Sequence, residues 1–137
     1  MTVLADTSAW VEYDRASGSA VDLRMAELIS HERTLAVTEP VVMELLAGAR
    51  SDAREQQLRR LLVRFGHLPF HAATDFDAAS RIYRRCRRSG ITPRGMVDCM
   101  IAAVAWRTGA VLLAFDADLG RVAEVIDIHL DEASLRP

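Results

Sequence analysis

Hydrophobic residues fall into two kinds of run along this chain. The first kind is short and apolar throughout: Val3-Leu4-Ala5, Leu35-Ala36-Val37-Thr38 with its polar last residue, and Val111 to Phe115. The second recurs every three or four residues, as in Val21, Met25, Leu28 and Ile29, and in Leu58, Leu61, Leu62 and Phe65. Runs of the first kind suit strands buried on both faces; the second is the stripe of an amphipathic helix. Punctuation agrees. Thr7-Ser8 reads as a capping pair before a helix carrying Ala9, Trp10, Val11 and Tyr13, and Ser17-Gly18-Ser19 breaks the chain and caps the next helix. Glu39-Pro40 starts a helix, with proline in the first turn where its missing N–H costs nothing. That helix carries Val41, Val42, Glu44, Leu45 and Leu46, and Gly48 lies near its end. Ser51-Asp52 caps another.

Further along, Leu68-Pro69-Phe70 reads as a weak strand and Asp75 to Arg88 as a helix ended by Ser89-Gly90. The next helix runs roughly from Gly95 to Arg107 and stops at Gly109. A short helix over Asp118 to Val125 follows the clearest strand, and Ile126-Asp127-Ile128-His129-Leu130 is a candidate edge strand. Strands alternating with helices predict an α/β fold: a central parallel sheet of four to five strands with helices on both faces. No repeat, low-complexity segment or linker interrupts it, so residues 1–137 form one domain.

At 137 residues and 50% hydrophobic, such a domain buries enough surface to stand without disulfides. The two cysteines, Cys86 and Cys99, match no zinc or CxxC spacing and are expected as reduced core thiols of a cytoplasmic protein. Only five residues precede Asp6, too few for a signal peptide, and no apolar run approaches a membrane span. All 17 basic residues are arginine, which excludes any mechanism that needs a lysine.

The chemistry lies in four acidic residues set where apolar segments begin or end. Asp6 closes the first strand, Asp116 closes the Val111 strand, Glu44 follows Val41-Val42-Met43, and Asp98 opens the apolar stretch Cys99 to Trp106. Open parallel sheets gather functional groups at the carboxyl ends of their strands. Asp6 and Asp116 sit at such ends, and Glu44 and Asp98 fall in the first turns of helices that can start at the same edge. Converging carboxylates repel until a proton or a cation intervenes. An all-oxygen set favours Mg²⁺ or Mn²⁺ over zinc, and such ions support phosphodiester cleavage.

The segments Val3-Leu4-Ala5-Asp6-Thr7-Ser8, Glu44-Leu45-Leu46-Ala47-Gly48, Asp98-Cys99-Met100-Ile101-Ala102-Ala103 and Phe115-Asp116-Ala117-Asp118-Leu119, in this order, resemble the PIN-domain ribonucleases. Within that family the similarity is to the VapC-like toxins of type II bacterial toxin–antitoxin pairs. It covers the whole chain. It implies a metal-dependent endoribonuclease that cleaves structured RNA, transfer RNA before messenger RNA, and inhibits translation. Asp6, Glu44, Asp98 and Asp116 would be the catalytic and metal-holding quartet, Asp118 an accessory carboxylate, and Ser8 a support for the site. The resemblance further implies a VapB-like antitoxin whose tail wraps the toxin, a toxin homodimer, and a hetero-oligomer of the two. The fourth motif departs from the family pattern by carrying Ala114 and Leu119, where a hydroxyl residue and an aromatic are usual.

Arg81, Arg84, Arg85 and Arg88 share one helical stripe, opposite Ala79, Ile82, Tyr83 and Cys86. With Arg87 and Arg94 nearby, they are the candidate grip on an RNA backbone, and Arg94, just before the Asp98 helix, is the one expected nearest the scissile phosphate. The four histidines are scattered and expected at structural or surface positions. Trp10 and Trp106 are expected to pack in the core, and Asp14, Asp75 and Asp77 to cap or turn. Three other readings compete: a non-catalytic RNA- or protein-binding module, a DNA nuclease with the same acidic site, and an aspartyl-phosphate enzyme. The last lacks the lysine of receiver domains and the second aspartate that phosphatases place at the position of Ser8.

Overall fold

In the computed structural model, which describes residues 1–31 and 33–137, β1 (Val3–Ala5) leads into α1 (Thr7–Arg15) and α2 (Ala20–Ser30). Then come β2 (Leu35–Val37), α3 (Glu39–Ala47), α4 (Asp52–Leu62), β3 (Gly66–His67), α5 (Ala72–Arg88), α6 (Met96–Thr108), β4 (Val111–Leu113) and α7 (Ala117–Ile126). The four strands form one sheet in the order β3-β2-β1-β4, with every pairing parallel. All residues of β1, β2 and β4 are buried, which means that both faces of the sheet are covered by helices. α5, α6 and α7 pack on one another, as do α1 and α2, and α3 touches α1, α4 and α6.

Register places the site. Leu4 stands beside Ala36 on one side and Leu112 on the other, so β1, β2 and β4 end at nearly the same level. The Asp6 N–H donates to the Leu113 carbonyl at 2.9 Å, tying the ends of β1 and β4 together just where their aspartates begin.

Two expected strands take other forms. The third strand is Gly66–His67 rather than Leu68-Pro69-Phe70. Leu68 N–H still donates to the Val37 carbonyl at 2.8 Å, but Pro69 has no N–H to continue the ladder. Phe70 N–H turns instead to a carboxylate oxygen of Glu39 at 2.5 Å. The expected edge strand at 126–130 also fails: Ile126 belongs to α7, and Asp127 takes a left-handed conformation (φ 61°) that turns the chain out of the helix. A single parallel bridge, Leu112 with Leu130, is what remains of it.

Beyond that bridge the C-terminal segment returns along β4. Leu135 N–H donates to the Ala114 carbonyl at 2.9 Å, and Pro137 packs so close to Gly120 that a Cβ there would come within 3.1 Å of its ring. Ala114 and Leu119, the two departures in the fourth motif, are both fully buried core residues. Trp10 is buried against Phe65, with ring centroids 5.5 Å apart. Trp106, expected in the core, is 63% exposed; it continues the buried stripe of Ala102 and Ala103, but in the last turn of α6, where the covered stretch of the helix has ended. Cys86 and Cys99 are buried free thiols. No helix among the described residues is long and apolar enough to cross a membrane.

Away from the sheet edge, Asp75 is 1% exposed. It accepts a two-pronged ion pair from Arg107, at 2.9 Å and 2.8 Å, and caps α5 by accepting the His71 N–H at 2.8 Å. Burial opposes its charge, yet these hydrogen bonds prevail and hold the carboxyl below its ordinary range. Asp14 and Asp77, expected at caps or turns, form exposed pairs with Arg54 and Arg81 instead. Removing one partner of a buried pair strands the other's charge. Arg107→Met is therefore expected to lower the unfolding free energy by about 3 kcal/mol in chemical denaturation, with the Asp6 cleft unaffected.

Candidate active site

An open cleft of about 450 Å³ lies at the carboxyl edge of the sheet, lined by Asp6, Thr7, Ser8, Glu44, Arg94, Gly95, Val97, Asp98 and Asp116. Asp6 follows β1 directly and is the N-cap of α1. Asp116 stands three residues past the end of β4 and is the N-cap of α7. Each accepts backbone N–H groups from the first turn of its helix, whose partial positive charge favours an anion there. Asp98 lies in the first turn of α6. Glu44 lies in the second turn of α3, not the first, so its longer side chain must reach back to the cleft, and there the Thr7 hydroxyl donates to its Oε1 at 2.6 Å.

Asp6 is the most deeply set of the four, at 3% exposure. Its Oδ2 accepts the Ser8 N–H at 3.0 Å and the Ser8 hydroxyl at 2.6 Å. The same Ser8 hydroxyl oxygen accepts the Phe115 N–H at 2.9 Å, so Ser8 joins the end of β1 to the loop that carries Asp116. The other oxygen, Asp6 Oδ1, is buried and has no hydrogen-bond partner. A buried carboxylate oxygen without a partner is costly, and a cation is the natural means of satisfying it.

Charges in the cleft strain one another. Burial pushes the Asp6 carboxyl up to about 6, with the charge of Glu44 adding to the rise against the hydrogen bonds from Ser8. Burial also lifts Asp98, together with the charges of Asp6, Asp116 and Glu44, to about 7, while Arg94 pulls the other way. Asp116 is paired: its Oδ1 accepts the Asp118 N–H at 2.9 Å, and its Oδ2 receives Nη2 of Arg94 at 2.5 Å. Asp118 does not line the cleft; it holds Arg94 from behind, accepting the Arg94 backbone N–H at 3.2 Å and pairing with Nε at 3.5 Å. As the side chains stand, no three described His, Cys, Asp or Glu residues are gathered tightly enough to hold an ion. Arg94 engages the Asp116 oxygen and Thr7 the Glu44 oxygen that such a set would use. The donors are nonetheless of the hard-cation kind, and Asp6 Oδ1 is an unmet acceptor among them.

The structure thus brings Asp6, Ser8, Glu44, Asp98, Asp116 and Arg94 into one cleft. It leaves Arg81, Arg84, Arg85 and Arg88 outside it, exposed on α5, with Arg81 paired to Asp77 at 3.0 Å. His67 pairs with Glu39, and no described histidine lines the cleft. Thr7 is the site residue missed from the sequence. Its signal was its position beside Asp6, but it read as half of a capping pair, whereas Asp6 itself is the cap.

A family model described as PIN domain matches residues 3–125. The chain is 44% identical over 135 residues to Ribonuclease VapC11 of Mycobacterium tuberculosis (strain H37Rv), an alignment covering 98% of this chain and 99% of the relative. The same figures hold for VapC ribonuclease Mb1587 of Mycobacterium bovis. This chain belongs to the PIN-domain family, among its VapC ribonucleases. Solved structures agree on the fold. VapBC-1 from nontypeable Haemophilus influenzae superposes with a TM-score of 0.73 at 19% identity, over 96% of this chain and 97% of the other. FitAcB from Neisseria gonorrhoeae gives 0.72 at 19% identity, over 96% and 98%.

The raised carboxyls of Asp6 and Asp98 carry a pH signature. A carboxyl whose folded pKa is raised stabilises the fold fully below its unfolded value near 4, and that contribution is lost as pH rises through about 6 for Asp6 and about 7 for Asp98. Without added divalent cation, stability is therefore expected to fall between pH 4 and pH 8. Asp98→Asn removes one of the repelling charges. It is expected to raise Tm at pH 8 by on the order of 5 °C and to change it little at pH 4; thermal melts across the pH range check both. Equal shifts at the two pH values would contradict the charge-strain account.

Proposed function

We propose that this chain is the toxin of a type II toxin–antitoxin pair, a metal-dependent endoribonuclease that cleaves structured RNA, transfer RNA first, and thereby inhibits translation. The observation that carries this reading is the convergence of Asp6, Glu44, Asp98 and Asp116 on one open cleft with the buried Asp6 Oδ1 unpartnered. Membership among the VapC ribonucleases supports the reaction class. Asp6, Asp98, Asp116 and Glu44 would hold Mg²⁺ or Mn²⁺, while Asp118, expected as an accessory carboxylate but outside the cleft lining, would support the site through Arg94. In phosphodiester hydrolysis such a cation supplies an activated water and neutralises charge at the leaving oxygen.

The chain's own residues do the rest. Ser8 fixes the Asp6 carboxylate and Thr7 the Glu44 carboxylate, so the acidic groups are oriented before RNA arrives. Asp98, whose carboxyl is pushed up by burial and by its acidic neighbours in the ion-free cleft, would be held ionised once a cation shares the site. Arg94, at the mouth of the cleft, would contact the scissile phosphate, and Arg84, Arg85 and Arg88 on α5 would hold the flanking backbone. The cognate partner would be a VapB-like antitoxin, and the toxin itself would pair as a homodimer. Several structural relatives are toxin–antitoxin complexes, among them VapBC from Salmonella typhimurium bound to DNA, which supports this assembly.

The direct test incubates the purified, antitoxin-free chain with total transfer RNA and Mg²⁺ or Mn²⁺, beside EDTA and Asp98→Asn controls. Discrete fragments that vanish in both controls are expected, the variant losing at least about a hundredfold in rate. Ribosomal RNA forms a second arm, because VapC20 of Mycobacterium tuberculosis, a structural relative, is described as a Sarcin-Ricin loop cleaving toxin. Cleavage confined to that arm would replace transfer RNA as the substrate. Fragments that survive EDTA would sink the metal reading.

For the α5 stripe, the triple variant Arg84→Gln, Arg85→Gln, Arg88→Gln is expected to bind RNA more weakly. Its log affinity should also depend less steeply on log salt, the slope falling by up to about 0.7 for each single-strand phosphate that is no longer neutralised. An unchanged slope in filter binding would show the stripe to be solvated surface.

A further inference from the structure

Arg94 lies in the segment between α5 and α6, and its side chain is 69% exposed. Despite that exposure it spans two acidic residues. Nη2 meets Asp116 Oδ2 at 2.5 Å, Nε lies 3.5 Å from Asp118 Oδ2, and the backbone N–H donates to that same Asp118 oxygen at 3.2 Å. Asp118 therefore anchors the segment while the guanidinium tip reaches the cleft wall.

The oxygens of Asp116 are divided between two tasks. Oδ1 is committed to the helix, accepting N–H groups from Asp118 at 2.9 Å and Leu119 at 3.4 Å. Oδ2 is the oxygen left for a ligand, and Arg94 occupies it. A cation drawing Asp116 into a shared site with Asp6 and Asp98 would approach this same Oδ2, where the positive guanidinium repels it and claims part of the oxygen's charge. The contact to the largely exposed arginine is the one that yields, because water screens it, whereas the helix cap on Oδ1 stays in place.

We propose that Arg94 is a built-in competitor of the divalent cation, its guanidinium and the ion drawing on the same Asp116 oxygen. This rests on the metal-nuclease reading above. The cleft gathers four carboxylates, and one arginine lines it with them. Arg94 offsets part of their repulsion, and a dication offsets more. Loading the ion frees the guanidinium without detaching it, since the backbone contact to Asp118 persists. The arginine then stands at the cleft mouth with Nη2 released and Nε still beside Asp118.

The test is Mn²⁺ binding to the purified full chain at pH 8, followed by calorimetry and by the paramagnetic resonance signal of free Mn²⁺, neither of which requires turnover. Arg94→Gln is expected to bind Mn²⁺ about fivefold more tightly, equivalent to about 1 kcal/mol. Arg94→Lys, which keeps the charge but loses the fork, should fall between the two. Arg121→Gln is the control: Arg121 also approaches Asp118, at 3.5 Å, but does not touch Asp116, so removing it should change affinity less than about twofold. Equal affinity in wild type and Arg94→Gln overturns the competitor while leaving the metal site standing. Equal tightening in Arg121→Gln and Arg94→Gln overturns it too, since the effect is then general charge removal. No Mn²⁺ binding by any of these proteins removes the metal reading, and the competitor with it.

Discussion

The burial of acidic groups side by side at the carboxyl edge of β1 and β4 is the constraint on which the rest of the site depends. A parallel sheet delivers strand ends to one edge, and the register of β1 against β4 puts Asp6 and Asp116 at that edge together. Left alone, such a group would protonate or push apart. The chain answers locally. Helix starts cap Asp6 and Asp116, hydroxyls from Ser8 and Thr7 hold Asp6 and Glu44, and one arginine leans onto Asp116. Burial first, and after it the charge these contacts leave unneutralised, raises the carboxyls of Asp6 and Asp98.

The same edge explains the spare sheet. Three short strands buried on both faces, with a two-residue fourth at the margin, suffice to set the level of the site. The surrounding helices then differ in task. α1 and α7 present their N-termini to the cleft, while α3 and α6 bring Glu44 and Asp98 inward. α5 packs against α6 and α7 and turns its arginines outward. Its last turns lead into the segment that carries Arg94, so the exposed basic face and the cleft are joined by a few residues of backbone.

Much of this was legible from residue order, and the exceptions have physical causes. Apolar runs located β1, β2 and β4, and strand-end acidity located Asp6 and Asp116, because both signals are local. The third strand was displaced because a ladder needs N–H groups that Pro69 lacks and Phe70 gives elsewhere. The expected edge strand gave way to a helix that outlasts its pattern until Asp127 turns it. Trp106 lies on a buried stripe but in the final turn, and periodicity does not say where along a helix its cover ends. Thr7, and the attachment of Arg94 to Asp116 and Asp118, were illegible for a different reason. They are contacts between segments 22 to 37 positions apart, and one sequence carries no record of such meetings.

The Ser8 hydroxyl has one hydrogen, and its neighbours decide where it points. Because Phe115 N–H already donates to the Ser8 oxygen, the hydroxyl hydrogen goes to Asp6 Oδ2, which receives the Ser8 N–H as well. Polarity then runs one way through this circuit, from the loop after β4 to Ser8 to Asp6 Oδ2, while Oδ1 is left without a partner. The circuit thereby makes the two oxygens of one carboxylate unequal: Oδ2 is committed to Ser8, and Oδ1 keeps its acceptor capacity unused.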